Sequence, residues 1–270
     1  MKFGICNEVF EGWSIDDTIR FVAETGYDAI EIAPFTLAQY VTEIPVAERQ
    51  RIRGVAADNG IEVSAIHWVL IKTEGLYMTH TDAAIREKTS DYFCELVDCC
   101  ADLGGKAIVV GSPKLRNLLP GVSFEQAWEL ACETFAKSIK RAEDKGVTIC
   151  FEPLAPSETD FINTAEQAIE FVSHFESAAF KIILDVKAMS SETKPIPDII
   201  RDSHPNFAYF HCNDENLKGP GFGDIDFLPI FGALKEVRYD GVASVEVFDF
   251  EEGPETIARE SLRYMKEASA

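Results

Sequence analysis

The segment VTICFE (147–152) is an almost uninterrupted apolar run that ends in a carboxylate. The same design recurs further along the chain in FKIILD (180–185), FAYFH (207–211) and VASVEV (242–247). Short runs rich in Val, Ile, Phe and Ala, with little charge, are typical of parallel strands that are buried on both faces. We therefore predict four parallel strands in the second half of the chain, each with a polar side chain at or near its end.

The first half of the chain follows the same rhythm. Apolar runs occur at 3–6, 29–33, 61–68 and 107–111, and amphipathic stretches typical of helices separate the runs along the whole chain. Residues that favour helix ends bound many of these stretches. The predicted N-caps are Ser14, Asp82, Ser123, Thr164 and Asp226, and the predicted helix stops include Gly26, Gly60, Gly104 and Gly146.

Eight strand–helix units over 270 residues favour a closed (β/α)8 barrel, or TIM barrel. We expect a single catalytic domain that spans residues 1–270. A doubly wound sheet is the alternative fold. The first strand run, however, leads into Cys6-Asn7-Glu8 and lacks the Gly-rich turn that such sheets often place there.

The charge balance is strongly acidic, with 25 Lys and Arg against 46 Asp and Glu and a formal charge of −21. Such a surface repels phosphate backbones and anionic lipid headgroups, so we expect neither nucleic acid nor a membrane as a partner. The seven cysteines are odd in number and include no CxxC pair, which indicates free thiols in a reducing compartment. The N-terminus does not resemble a signal peptide. We expect a cytoplasmic protein that acts on a small molecule, with a homo-oligomer as an open alternative to a monomer.

Four successive strands carry side chains that can bind a metal. In a (β/α)8 barrel the active site lies at the C-terminal ends of the strands. The fifth to eighth strands place Glu152, Asp185, His211 and Glu246 at this level, separated by about one strand–helix unit each. Three carboxylates and one imidazole suit Mn²⁺, Mg²⁺ or Co²⁺ better than a structural Zn²⁺, which prefers thiolates. We predict one divalent metal, with Mn²⁺ as the leading choice and Zn²⁺ still open. The alternative, unrelated polar groups at strand ends, leaves costly unpaired carboxylates.

Several segments carry a resemblance to a known family. They are FEPL (151–154), ETDFINTAEQA (158–168), ILDV (183–186), FHCND (210–214), PGFGDIDF (220–227) and VEVF (245–248). Together they resemble the xylose isomerase-like barrel superfamily of sugar and sugar-phosphate isomerases and epimerases, with ketose 3-epimerases, inosose dehydratases and endonuclease IV as relatives. The resemblance covers nearly the whole chain. Its motifs are more specific for the superfamily than for any one substrate.

The resemblance to the ketose 3-epimerase branch implies roles for three glutamates. Glu152 and Glu246 match glutamates that bind metal and exchange the substrate proton, and Glu158 matches one that binds substrate. The implied activity is a divalent-metal-dependent isomerisation or epimerisation of a sugar, sugar phosphate or polyol, through proton abstraction next to a carbonyl and a metal-stabilised enediolate. Two positions depart from this branch. Ala188 stands near the place of a histidine, and Leu217 stands in the place of an arginine.

Further candidates for substrate binding follow the strand ends: His67, Trp68, Lys114, Arg116, Lys187 and Asp214. A tryptophan can stack on a sugar face, and two cations beside the mouth of so acidic a protein suit an anionic or oxygen-rich substrate. Lys187 can take over part of the role of the absent histidine, and Asp214 belongs to the FHCND segment. The alternative interpretation is that these side chains have no role in binding. They would then be polar residues at the barrel mouth with ordinary hydrogen-bond partners, or charges exposed to solvent.

Three other functions remain open at this point. A lyase on the same scaffold, acting on a keto-inositol or a 3-keto-glycoside, begins with the same proton removal. A DNA-repair endonuclease needs more histidines than the five present, and the charge of −21 argues against it. A non-catalytic sugar-binding barrel does not need Glu152 and Glu246.

Overall fold

The computed structural model describes residues 1–270 and contains eight parallel strands. They are Lys2–Cys6 (β1), Ala29–Ile32 (β2), Glu62–Ile66 (β3), Ala107–Val110 (β4), Thr148–Phe151 (β5), Phe180–Asp185 (β6), Phe207–Cys212 (β7) and Val242–Val245 (β8). Each strand pairs with its neighbours in chain order, and β8 pairs with β1, which closes the sheet. The prediction of a (β/α)8 barrel is confirmed.

Nine α-helices connect and follow the strands. They are Ile15–Thr25 (α1), Val46–Asp58 (α2), Ala83–Leu103 (α3), Phe124–Lys145 (α4), Ala165–Ser173 (α5), Val186–Ser190 (α6), Ile196–Ser203 (α7), Phe227–Glu236 (α8) and Pro254–Ala268 (α9). All five predicted N-caps accept a hydrogen bond from a backbone N–H of the first turn. None of the helices combines the length and the apolar character needed to cross a lipid bilayer.

Aromatic rings from α4 and α5 pack against β5 and β6 in the apolar core. Phe135 of α4 stacks on Phe180 of β6, with 5.2 Å between the ring centroids. Phe151 of β5 packs against Phe171 of α5 at 5.0 Å. All four rings are almost fully buried. This packing anchors β5 at its C-terminal residue and β6 at its first residue.

Register brings the polar strand ends to one level. Asp185 pairs with His211 across β6 and β7. Just beyond the paired residues of β8, the backbone N–H of Glu246 donates to the carbonyl of Cys212. At the end of β5, the backbone N–H of Glu152 donates to the carbonyl of Val110. The four strand ends are therefore held side by side by backbone hydrogen bonds.

Two strand exits differ from the sequence prediction. The third apolar run extends to Trp68, but β3 ends at Ile66, and Trp68 turns the chain away with a left-handed φ of 54°. Beyond β6 the chain enters the short helix α6 at once, which the sequence does not predict. The Asp185 side chain is the N-cap of that helix. Because Asp185 is also the last residue of β6, the sequence pattern shows only the end of the strand and not the start of the helix.

Candidate metal centre and pocket

The four predicted ligands meet at the C-terminal mouth of the barrel. One ligand atom from each of Glu152, Asp185, His211 and Glu246 lies within 4.8 Å of the others. All four residues are buried, and His211 is fully inaccessible. The sequence prediction that these side chains converge is therefore matched by their positions. The group could hold a metal ion.

His211 is oriented by a buried carboxylate behind it. Its Nε2 lies 3.1 Å and 3.2 Å from the two carboxylate oxygens of Glu31 on β2. Its Nδ1 makes no hydrogen bond and faces Oε2 of Glu246 at 3.1 Å. An imidazole held by a carboxylate on one nitrogen, with its other nitrogen free, is the usual arrangement of a metal-binding histidine.

Asp185 is held by both of its oxygens. Oδ1 accepts from the backbone N–H of Ala188 at 2.7 Å, and Oδ2 accepts from the Asn213 amide at 2.6 Å. The Asn213 carbonyl oxygen in turn accepts from the backbone N–H of Lys187 at 2.8 Å. Asn213 is fully buried, so this network fixes the carboxylate rigidly at the end of β6.

The electrostatics of the centre call for positive charge. Burial and the charges of Asp185 and Glu246 raise the pKa of Glu152 well above its usual range. Burial and the charge of Glu246 raise the pKa of Asp185 to about 6. Burial also disfavours the charged form of Glu246, but the adjacent His211 outweighs that effect and lowers the pKa of Glu246. Crowded carboxylates and a free imidazole nitrogen fit a divalent cation.

A pocket of about 470 Å³ opens above the centre. Its lining includes Glu152 and Glu246, together with five of the predicted substrate-binding residues: His67, Trp68, Lys114, Glu158 and Lys187. The rings of Trp68 and Phe248 lie 5.9 Å apart, and both rings line the pocket. The Nε1 of Trp68 is buried without a hydrogen-bond partner. The pocket thus joins two carboxylates of the centre to an aromatic wall and several charged groups.

Lys187 and Glu158 form an ion pair in the pocket wall. The Lys187 ammonium donates to Oε1 of Glu158 at 2.8 Å and lies 4.7 Å from the centroid of the Phe248 ring. The other carboxylate oxygen of Glu158 is buried and has no partner. Although burial opposes its charged form, the Glu158 hydrogen bond and nearby carboxylates raise the pKa of Lys187. Both residues line the pocket, so an ion-paired cation and a carboxylate lie in its wall.

Arg116 does not lie where the sequence suggests. It is fully buried and is absent from the lining of the pocket. Its guanidinium donates to the backbone carbonyls of Glu152 at 2.6 Å and Ile162 at 3.2 Å, and lies 4.8 Å from the centroid of the Phe151 ring. Its donors are directed at the backbone rather than at the mouth, because the chain after β4 folds the side chain back under Glu152.

Asp214 is likewise turned away from the pocket. Its carboxylate accepts from the backbone N–H of Ile225 at 3.0 Å. Gly223 packs so closely on this carboxylate that a Cβ there would collide with it. Asp214 therefore stabilises the loop between β7 and α8. Its place in the FHCND segment reflects this structural role and not contact with the pocket.

Three residues of the site were not singled out from the sequence: Glu8, Glu31 and Asn213. Glu31 is a fully buried charge within β2, and two histidines hold its pKa to about 2 against the effect of burial. A lone carboxylate in the apolar run AIEIA (29–33) was the available signal, since such a charge needs a partner. Glu8 follows β1 in a 3₁₀ turn, Asn7–Phe10. Asn213 had no signal in the sequence, because its partners come from another strand.

Among known proteins, the chain is similar to several sugar epimerases. It is 29% identical over 258 residues to the D-psicose 3-epimerase of Agrobacterium fabrum, covering 92% of this chain and 85% of that protein. It is 22% identical over 283 residues to the 3-dehydro-D-guloside 4-epimerase of Escherichia coli, covering 98% and 99%. A crystal structure of D-psicose 3-epimerase in the presence of D-fructose shares the fold, with a TM-score of 0.86 at 24% identity, over 100% of this chain and 99% of that one.

A family model provides the broadest match. The model described as the xylose isomerase-like TIM barrel matches residues 19–268. That range runs from α1 to the end of α9 and includes all four strand ends of the centre. The chain therefore belongs to the xylose isomerase-like TIM barrel family.

Proposed function

We propose that this protein is a divalent-metal-dependent sugar epimerase or isomerase, with Glu152 and Glu246 as its proton-transfer residues. One observation carries the proposal: these two glutamates belong to the candidate metal centre and also line the pocket. A substrate in this pocket therefore meets two carboxylates beside any bound cation. The two named relatives, a 3-epimerase and a 4-epimerase of sugars, support the same class of reaction.

The proposed chemistry needs two carboxylates that can exchange protons with carbon. A divalent cation bound by Glu152, Asp185, His211 and Glu246, with Mn²⁺ our first choice, supplies positive charge that balances the negative charge developing on the substrate oxygens. One glutamate removes the proton on the carbon next to the carbonyl. The other returns a proton to the opposite face of that carbon, which inverts its configuration. Burial and neighbouring carboxylates raise the pKa of Glu152, whereas His211 lowers the pKa of Glu246, so the two carboxyl groups differ in their affinity for a proton.

The pocket wall supplies the substrate contacts in this proposal. Trp68 and Phe248 offer apolar faces to the ring or chain of a sugar. Glu158 accepts from a sugar hydroxyl through its unpaired oxygen, and Lys187 donates to a substrate oxygen. Lys114, which also lines the pocket, adds a second cation for an oxygen-rich or anionic substituent. Arg116 contributes indirectly, because it holds the backbone carbonyl of Glu152.

A substrate screen in deuterated water tests the proposal. Protein loaded with Mn²⁺ is incubated with neutral and acidic keto-sugars, and products are followed by NMR. We expect deuterium at the inverted carbon without loss of water or of an aglycone. Release of either product would instead identify a lyase, and no turnover of any keto-sugar with any divalent metal would leave only sugar binding.

Two variants connect the reaction to its residues. Glu152→Gln and Glu246→Gln should each lower turnover by at least ~10²–10⁴-fold, the usual contribution of a general acid or base, while the fold is retained. Glu170→Gln, on the exposed face of α5, is the matched control and should leave the rate unchanged. A glutamate whose variant keeps more than half of the parent activity is not a proton carrier.

A further inference from the structure

A second group of potential ligands adjoins the candidate metal centre and is not used by the proposed reaction. Glu8, His67 and Glu246 each bring one ligand atom within 4.8 Å of the others. Nε2 of His67 lies 2.8 Å from Oε2 of Glu8. The side chains of Glu8 and His67 are 7% and 1% exposed, so their polar atoms are almost cut off from solvent.

The histidine of this group lies between two carboxylates, those of Glu8 and Glu31. Nδ1 of His67 lies 3.4 Å from Oε1 of Glu31, and the same oxygen lies 3.1 Å from Nε2 of His211. The two imidazole rings are 6.0 Å apart and nearly perpendicular. One buried carboxylate thus lies behind both histidines. The far nitrogen of His211 faces Glu246, and the far nitrogen of His67 faces Glu8. This is the arrangement in which a carboxylate orients a metal-binding histidine.

An unpartnered buried atom points to a missing ligand in this group. Oε1 of Glu8 is buried and has no hydrogen-bond partner. A buried carboxylate oxygen without a partner is costly. The ion pair between Glu8 and His67 satisfies only one oxygen of Glu8. A cation that contacts Glu8 and His67 together removes this cost.

The neighbouring set Cys6, Glu31 and His67 is a weaker alternative, although its ligand atoms are equally close together. Glu31 already accepts from His211, and the Cys6 thiol lies 3.4 Å from Oε2 of Glu31 as a hydrogen-bond donor. Cys6 and Glu31 are both fully buried within the barrel, away from the pocket. By contrast, His67 and Glu246 both line the pocket, so a cation held by them has positions open to substrate.

We propose that Glu8, His67 and Glu246 bind a second divalent cation, with Glu246 bridging it to the cation of the first centre. Paired cations that share a carboxylate clamp two oxygens of one substrate. The second site offers two carboxylates and one imidazole and leaves further positions free, as catalytic rather than structural metal sites do. A ligand that presents two adjacent oxygens, such as the hydroxyketone unit of a keto-sugar, matches such a pair.

Metal counting tests this proposal without reference to any reaction. The full-length protein is stripped with chelator, dialysed against Mn²⁺ at moderate salt and analysed for bound metal. Electron paramagnetic resonance of the same samples reports whether two Mn²⁺ ions are close enough to couple. We expect two ions per chain and a coupled signal. One ion per chain, or two ions without coupling, overturns the proposal.

Variants assign the second ion to its residues. His67→Gln and Glu8→Gln should each reduce the count from two ions to one and remove the coupled signal. His174→Gln, a substitution of a histidine at the end of α5 that belongs to neither group, should keep both. Circular dichroism establishes whether each variant is folded. If His67→Gln does not fold, the metal count of Glu8→Gln tests the assignment of the second ion. Two coupled ions in a folded Glu8→Gln or His67→Gln variant would contradict the proposed second site. Absence of turnover with sugars would not change the metal count and would contradict only the proposed function.

Discussion

The ammonium of Lys187 donates to Oε1 of Glu158 at 2.8 Å, across the pocket wall above the candidate metal centre. The pair joins α6 to the loop after β5, and the side chain of Lys187 is only 14% exposed. The Phe248 ring beneath the ammonium shields it further. A cation held this firmly cannot turn away into solvent, so it presents a fixed donor to whatever enters the pocket.

Replacement of Lys187 by methionine should therefore weaken catalysis rather than folding. Loss of one charge-assisted hydrogen bond to substrate costs about 1.5–3 kcal/mol, which is roughly 10- to 150-fold in kcat/KM. Steady-state kinetics on the substrate found by the screen measure the change. Lys140→Met, which removes an exposed lysine from α4, is the control. A decrease in kcat/KM of less than threefold would show that Lys187 does not bind substrate and only forms the ion pair with Glu158.

Glu31 gives a prediction about metal affinity. Because its carboxylate orients His211 and is itself fully buried, Glu31→Gln removes the charge that positions the imidazole. Loss of such a supporting carboxylate typically lowers metal affinity 10- to 100-fold. Isothermal titration of the stripped protein with Mn²⁺ should show this weakening for the variant. Equal affinities of variant and parent would mean that β7 alone orients His211.

Arg116 separates structural support from substrate binding. Its guanidinium donates to the backbone carbonyls of Gly111, Glu152 and Ile162, so Arg116→Met removes all three hydrogen bonds. Each lost hydrogen bond to a charged donor costs about 1.5–3 kcal/mol. Urea unfolding should therefore show a free energy of unfolding lower by at least this amount. If the variant kept its free energy of unfolding but had a raised KM, Arg116 would bind substrate, as expected from the sequence.

Local patterns account for what the sequence predicts well. Strand runs and helix caps depend on neighbouring residues, and the register of parallel strands then aligns their ends, so Asp185 and His211 could be placed together in advance. Glu31 escaped notice because its partners, His67 and His211, come from β3 and β7 and meet it only inside the closed barrel. Which cation faces the pocket depends on the path of a loop, and sequence position alone does not give that path. Lys114 and Arg116 illustrate the point, since only Lys114 lines the pocket.

Gly111, at the end of β4, tests how closely the centre is packed. It lies against the carboxylate of Glu152, and a Cβ at position 111 would overlap Oε2 of that side chain. Position 111 does not adopt a left-handed backbone conformation, so Gly111→Ala introduces a clash without backbone strain. The carboxylate must then move by a sizeable fraction of an ångström. Because a misplacement of about 1 Å can cost ~10²-fold in rate, we expect a large loss of turnover and weaker Mn²⁺ binding.

A matched glycine makes this experiment specific. Gly232 lies within α8, where an added Cβ meets no atom within 4 Å, so Gly232→Ala should keep full activity and gain roughly 0.5–1 kcal/mol of stability from its helix propensity. Kinetics, Mn²⁺ titration and urea unfolding are measured for both variants. If Gly111→Ala retained the rate and metal affinity of Gly232→Ala, the Glu152 carboxylate could not be a ligand held in one position. Glu152 would then have no part in proton transfer beside a metal, and the reaction would need another base.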